Sequence, residues 1–390
     1  MNARVAIIVG TFPQWSERFI VREVTELLRR GIDFQLFALR RGALPFGSDP
    51  EFEPLLTRFQ MLPRTLTATV MNIGRPPRGD AGARVKQEMG LGGVARSMKS
   101  RALVRNLRQG NFTHIHAHFA NWPSTLGWLA AKETGLPFSF SAHARDLFVE
   151  PQLLEDKAED ATAFFACHAR GYDRLRELHK GDRAVLMYHG LPLEQYPFVE
   201  PAAVPEDRPA RLLCAGRFVP KKGQRDALEA LTRPPLLGRN IELTLLGAGE
   251  GREELEQAIV DAGLQQSARL MKPESSTRLI ERLRKTDLLL APCRQAPDGD
   301  HDGVPNILLE AMALGVPVVA TDAGSLSEVL TSNTGFVAPA GDVDALSEAI
   351  AEALDHPEQT RRRARAGRDL VAQRHTIRTA IEPLLSVLSS

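Results

Sequence analysis

Short runs of apolar and β-branched residues, each followed by a longer amphipathic stretch, recur along this 390-residue chain. That alternation restricts the fold to parallel sheets assembled from strand–helix–strand units. In the first half, residues 4–9 contain Val5-Ala6-Ile7-Ile8-Val9 and read as a strand, 17–30 as a helix ending at Gly31, and 33–39, 113–118 and 138–141 as further strands. The second half restarts the series with strands at 211–215, 241–246, 287–291, 317–320 and 335–337. Between them, Pro197, Pro201, Pro205 and Pro209 punctuate the polar stretch 196–209, which reads as a linker. A chain of this length exceeds what one hydrophobic core organises. We therefore expect an α/β protein of two Rossmann-like domains, 1–196 and 197–390, with ligands at the carboxyl ends of the strands. Residues 347–388 are helical in pattern, interrupted at Pro357 and Pro383.

Composition narrows the function classes. Hydrophobic residues at 43% and charged residues at 25% are ordinary globular usage, and a net charge of +1 argues against nucleic acid as a partner. Cys167, Cys214 and Cys293 lie beside apolar residues with no CxxC pairing, which argues against a disulfide framework or a thiolate zinc site. No apolar run reaches membrane-spanning length, and the first residues lack the pattern of a secretory signal, so a cytoplasmic setting is expected.

Charge is uneven, however: residues 64–110 hold ten basic side chains against Asp80 and Glu88. Leu91, Val94, Met98 and Ala102 fall near one helical face there, with Arg96, Lys99 and Arg105 elsewhere. Two readings follow: a helix lying peripherally on an anionic membrane surface, or one packed on the N-terminal sheet with a solvated basic face.

The most informative segment runs Asp298-Gly-Asp-His-Asp302-Gly303-Val304-Pro305-Asn306-Ile-Leu-Leu-Glu310-Ala-Met-Ala-Leu-Gly315-Val-Pro317. Pro305 suits the first turn of a helix and Gly315 its end, so a helix is expected over 305–314. The free N–H groups near Gly303, Val304, Pro305 and Asn306 form a phosphate site at its start. Asp302 precedes the helix, and the Glu310 carboxylate leans back toward it. A second element, Gly216-Arg217-Phe-Val-Pro-Lys-Lys222-Gly223, follows the strand at 211–215, where Arg217 and Lys222 can converge on a diphosphate. The turn Gly247-Ala-Gly249-Glu-Gly251 is structural as often as phosphate-binding, and Asp298-Gly-Asp300 reads as loop.

This wording resembles the retaining glycosyltransferases of family 4, marked by an acidic residue, seven residues, then glutamate, here Asp302 and Glu310. It is most similar to the branch that builds bacterial exopolysaccharides such as colanic acid, although Asp302 stands where that family usually has glutamate. The resemblance implies the GT-B fold, two Rossmann-like domains facing across a cleft with C-terminal helices crossing back to the first. It implies transfer of a hexose-type sugar from a nucleoside diphosphate sugar, UDP rather than GDP, with retained configuration. The acceptor would be a glycan or lipid-linked oligosaccharide hydroxyl, with no metal and no cofactor beyond the sugar nucleotide. Glu310 then faces the ribose, Asp302 the donor sugar, and Arg217 and Lys222 the diphosphate. An epimerase of the same fold and a non-catalytic sugar-nucleotide-binding scaffold stay open; the Asp302 and Glu310 pair disfavours the epimerase.

In the N-terminal half, the stretch from Gly10 to Ile20 joins the first strand to the first helix, with Ser16 suited to cap it. Gly10 is assigned to the donor side and Glu17 to the acceptor, a capping role for Glu17 being equally open. His114, His116 and His118 alternate along a strand and share a face, but lack the further ligands of a zinc site; His118 is taken as acceptor-facing. His143 follows the strand at 138–141. By the resemblance it lies in the cleft and bonds the transferred sugar, with Asp146 nearby on the acceptor side.

Overall fold

The computed structural model of the protein describes residues 4–71, 79–178 and 182–389. The apolar runs become strands because both faces of each sheet are covered by helices, so alternate residues enter different cores. In β1 (Arg4–Phe12), Val5, Ile7 and Val9 join one buried cluster while Ala6 and Ile8 join another. Among the described residues the first unit's sheet adds β2 (Asp33–Arg41), β3 (Phe59–Met61), β4 (His114–His118), β5 (Phe138–Ala142), β6 (Ala163–Ala166) and β7 (Ala184–Leu186). Their spatial order is β3-β2-β1-β4-β5-β6-β7, all parallel.

The second unit repeats the plan with β8 (Ala210–Ala215), β9 (Ile241–Leu246), β10 (Ala268–Met271), β11 (Leu288–Ala291), β12 (Val318–Thr321) and β13 (Phe336–Ala338). Their order is β10-β9-β8-β11-β12-β13, again parallel. Leu212 and Cys214 of β8 enter one core and Leu213 the other. The strands β3, β6, β7 and β10, of three or four residues each, are additions to those expected from the sequence.

The units comprise Met1–Leu44, Glu51–Tyr188 and Ala380–Ser390 for the first, and Pro45–Pro50 and His189–Thr379 for the second. The division falls after Tyr188 rather than at 196, because Leu191 and Tyr196 are already buried in the second unit's core. The Val199 N–H also donates to the Leu314 carbonyl at 2.9 Å, so the start of the proline-rich stretch is packed structure. Near the other end, Ile381, Leu384 and Leu388 share the core of Val5, Ile7 and Val9 in the first unit. Conversely, Asp49 is buried in the second unit, where its carboxylate accepts from the Ser276 N–H (2.8 Å) and hydroxyl (2.7 Å) at the start of the helix Ser276–Leu283.

The basic segment departs from the single helix expected. Its helices among the described residues are Thr65–Met71, Gly79–Ser97, bent at Gly90 (φ 62°, ψ −164°), and Lys99–Gln109. Glycine tolerates that positive φ without the Cβ clash of other residues. The two helices part at Met98, which splits the expected apolar stripe, with Leu91 79% exposed while Met98 and Ala102 are buried. Leu103, Val104 and Leu107 join the core of Ala6 and Ile8, and Lys99 is buried with its ammonium donating to the Leu39 carbonyl at 3.2 Å. Arg101 pairs with Glu133 at 2.7 Å, Arg96 lies over the Trp122 ring, and Arg75 and Arg78 lie outside the described residues. Among the described residues no helix is long and apolar enough to cross a membrane.

Candidate active site

In the second unit β8 lies between β9 and β11, so the chain order reverses at β8 and β11. Loops leaving these neighbouring strands diverge, and the crevice between them is where open parallel sheets bind ligands. The first loop is Gly216 to Lys222, ending in the 3-10 turn Pro220–Lys222. The other loop leads through Asp300 and Asp302 to the helix Asn306–Leu314. Pro305 is the N-cap of that helix rather than its first residue (φ −64°, ψ 131°), and the Leu308 N–H turns back to its carbonyl at 3.0 Å. The N–H groups of Asn306 and Ile307 precede the hydrogen-bond ladder and remain available to an anion. Gly315 ends the helix at φ 87°, where a Cβ would collide with the Val199 carbonyl.

Charges converge there. The Lys222 ammonium lies 2.7 Å from Asp302 Oδ2, and Lys221 lies 3.4 Å from Asp302 Oδ1 and 3.0 Å from Asp300 Oδ1. Burial pushes the Asp302 carboxyl up, but Lys222 and Lys221 outweigh it and hold its pKa at about 2. Burial likewise pulls Lys222 down, yet Asp302 more than offsets it and raises the ammonium's pKa. The Cys293 thiol donates to Asp302 Oδ2 at 3.4 Å, and burial keeps it protonated by raising its pKa well above the usual value. Arg217 is exposed, with its carbonyl accepting from Gln224 at 2.9 Å. Glu310 is buried (3% exposed), one turn into the helix. The Asn306 side-chain oxygen is buried without a hydrogen-bond partner, an acceptor awaiting a donor.

Gly249, a candidate for the donor side, has a packing role in the fold. A Cβ there would strike the Phe218 carbonyl, and the two loops are sewn together by Phe218 N–H to Ala248 carbonyl (2.9 Å) and Gly251 N–H to Phe218 carbonyl (3.1 Å). Val304 belongs to the core and Gly303 is half-buried before the helix. Lys221, Asp300 and Cys293 are the residues that sequence reasoning passed over. The Lys-Lys doublet and the Asp-x-Asp spacing were their available signals.

The corresponding loops of the first unit are built differently. Gly10 lies inside β1 rather than in the loop after it, and Ser16 sits within the 3-10 turn Trp15–Glu17, so Glu17 rather than Ser16 occupies the N-cap of the helix Arg18–Arg29. The histidines of β4 turn inward. His114 Nε2 and His116 Nδ1 each lie 2.8 Å from the Ser139 hydroxyl, and His116 Nε2 is 3.2 Å from that of Ser141. Burial lowers His114 to about 4 and holds His116 well below its usual value. His118, expected to face acceptor, is 1% exposed, with Nε2 3.8 Å from Glu23.

Asp146 is also interior. It accepts from the His143 N–H at 2.7 Å and from the Ala120 N–H, while the buried Lys157 ammonium donates to the Ala120 carbonyl at 2.5 Å and to Ser124 at 3.0 Å. The two charged groups therefore clamp the turn after β4, where Phe119 adopts φ 75°. His143 itself is half-buried at the N-cap of the helix Ala144–Phe148. Its ring lies 4.6 Å from that of Phe119 and 5.0 Å from that of Phe19, with Nδ1 3.5 Å from Cys167 Sγ.

Two parallel sheets of this order, with cations and a helix start at the second unit's switch point, define an α/β protein of two Rossmann-like units. Residues 199–370, within the second unit, match the family described as Glycosyl transferases group 1. Anabaena HepE in complex with UDP and glucose superposes with a TM-score of 0.73 at 15% identity, covering 99% of each chain, and the fold is GT-B. The amylovoran biosynthesis glycosyltransferase AmsK of Erwinia amylovora is 35% identical over 141 residues, 36% of this chain and 35% of that protein. A GDP-mannose-dependent monoacylated α-(1-6)-phosphatidylinositol monomannoside mannosyltransferase of Corynebacterium glutamicum is 31% identical over 201 residues, 48% of this chain and 52% of that protein. The chain thus spans between a third and about half of the length of these relatives.

Proposed function

We propose that this chain is a retaining glycosyltransferase that moves a hexose-type sugar from a nucleoside diphosphate sugar to a glycan or lipid-linked hydroxyl in surface polysaccharide synthesis. The observation that carries the reading is the pairing of Lys222 and Asp302 beside the start of the helix Asn306–Leu314 at the second unit's switch point. Charge builds on the departing diphosphate, and fixed donors aimed at it stabilise the transition state without reorganising. Arg217, Lys222 and the N–H groups of Asn306 and Ile307 supply those donors, which removes the need for a bound cation. The buried Asn306 oxygen and the Glu310 carboxylate accept from donor hydroxyls, and His143 bonds the transferred sugar. The diphosphate oxygen takes the acceptor's proton as it leaves, on the face where the acceptor attacks, so configuration is kept. The AmsK likeness supports a polysaccharide acceptor. The HepE complex supports UDP, and the mannosyltransferase makes GDP the nucleotide to test against it.

Thermal shift with UDP- and GDP-sugars identifies the donor, since a ligand of the native state raises Tm. Transfer in excess chelator, with the anomeric centre of early product read by NMR, then tests the mechanism. Retained configuration and full chelator resistance are expected. An inverted centre, or activity that returns only with a divalent metal, would overturn the reading.

A further inference from the structure

Lys222 has a rival claim on it. The proposed function assigns its ammonium to the donor's diphosphate, yet it is 2.7 Å from Asp302, whose carboxylate is nearly enclosed. A diphosphate that drew Lys222 away would leave Asp302 Oδ2 with the weak Cys293 thiol at 3.4 Å, and stranding a buried charge is costly. The neighbouring residue answers this. Lys221 is 6% exposed and committed to the same loop three times, to Asp300 at 3.0 Å, to the His301 carbonyl at 3.3 Å and to the other oxygen of Asp302 at 3.4 Å.

Resting on that functional reading, we propose that Lys221 is a positioning residue, the resident counter-ion that keeps Asp302 paired and oriented while Lys222 transfers its interaction to the donor's diphosphate. The two lysines divide the labour by depth. The Lys221 side chain is 7% exposed and has two further acceptors to hold it, whereas that of Lys222 is 16% exposed and bonds Asp302 alone of the two aspartates. The 3-10 turn Pro220–Lys222 makes the division possible by sending consecutive side chains to the two oxygens of one carboxylate. The Asp300–Asp302 spacing gives Lys221 a second anion, so it does not follow Lys222 toward the ligand.

The test is isothermal titration of UDP and GDP into wild type, Lys221→Met, Lys221→Arg, Asp302→Asn and the Lys221→Met/Asp302→Asn double variant, with Tm recorded for each. Lys221→Met is expected to weaken the nucleotide that wild type binds by about tenfold or more, because Asp302 then competes for Lys222. Lys221→Arg should restore most of the affinity. In the Asp302→Asn background the Lys221→Met change should have little further effect, a coupling that a merely structural lysine would not produce. If Lys221→Met fails to fold, Lys221→Gln takes its place in the same cycle. Undiminished binding by the Lys221 variants, or an equal loss in both backgrounds, would overturn this inference while leaving the proposed function intact. Wild type that binds neither nucleotide would overturn both.

Discussion

The two sheets share one strand order around their switch points, but they treat charge at the strand ends in opposite ways. In the first unit burial dominates. It drives His114 to about 4, raises Asp146 to about 7 and lowers Lys157 to about 7, and each group is satisfied from within the unit. In the second unit burial penalises charge just as surely, yet the counter-charges win, holding Asp302 at about 2 and Lys222 above its usual value. A scaffold end and a ligand end can therefore be told apart by which force prevails: desolvation toward neutrality where the groups brace a turn, or retained charge where a polyanion is to be received.

The largest effect should come from the second unit. Arg217→Ala and Glu310→Ala are each expected to lower the transfer rate by about a hundredfold or more with the fold retained, since each removes a charged group from a preorganised site. Steady-state transfer rates beside circular dichroism decide it, and near-normal turnover in both variants would dissolve the contrast between the ends.

A smaller effect, on stability, should come from the first unit. His114 and His116 have folded-state pKa values below the unfolded value of about 6.5, so the unfolded chain takes up protons first as pH falls. The stability they contribute is complete above pH about 6.5 and is lost as pH falls below it, for His114 down to about 4, at about 1.4 kcal/mol per pH unit for each histidine while it stays neutral in the folded chain. Trp15, Trp122 and Trp128 all lie in the first unit, so tryptophan fluorescence reports that unit alone. Urea midpoints followed this way should drop between pH 7 and 5, and a flat profile would show that the buried histidines are not held neutral.

The smallest effect concerns the basic segment. Exposed Arg105 and Arg108, with Arg96 and the exposed Leu91, leave a face that can meet anionic lipid at about 1 kcal/mol per basic residue. Cosedimentation of wild type with anionic but not neutral vesicles at low salt is expected, and an Arg96/Arg105/Arg108 to Glu variant should lose it. Wild type that ignores anionic vesicles would confine that face to solvation.

What was legible in the chain follows from these physical differences. Strands buried on both faces announce themselves as unbroken apolar runs, so the principal strands of both units and the alternation of elements could be read directly. The helix Asn306–Leu314 was legible because its proline, its glycine and its acids each have a local cause. The partnership of Lys221 with Asp300 was not, since it joins residues 79 positions apart and depends on a turn that only the folded chain defines. His118 and Asp146 stood in the right segments, but burial is a tertiary property, and a strand-end polar residue reads alike whether it faces ligand or braces a loop. The stripe Leu91, Val94, Met98 and Ala102 misled because the helix on which its periodicity was counted ends at Ser97 and a second begins at Lys99.

The reach of Ile381, Leu384 and Leu388 into the first unit bears on the order of synthesis. A ribosome finishes β1 to β7 long before it makes the segment that covers Val5, Ile7 and Val9; the Arg30–Glu382 pair at the same place joins residues 352 positions apart. The nascent first unit must therefore wait, with one face of its sheet incompletely covered, until the whole second unit has been translated. Such a delay leaves apolar surface open to chaperones and to aggregation. A gene cut at the proline-rich stretch would make that wait permanent.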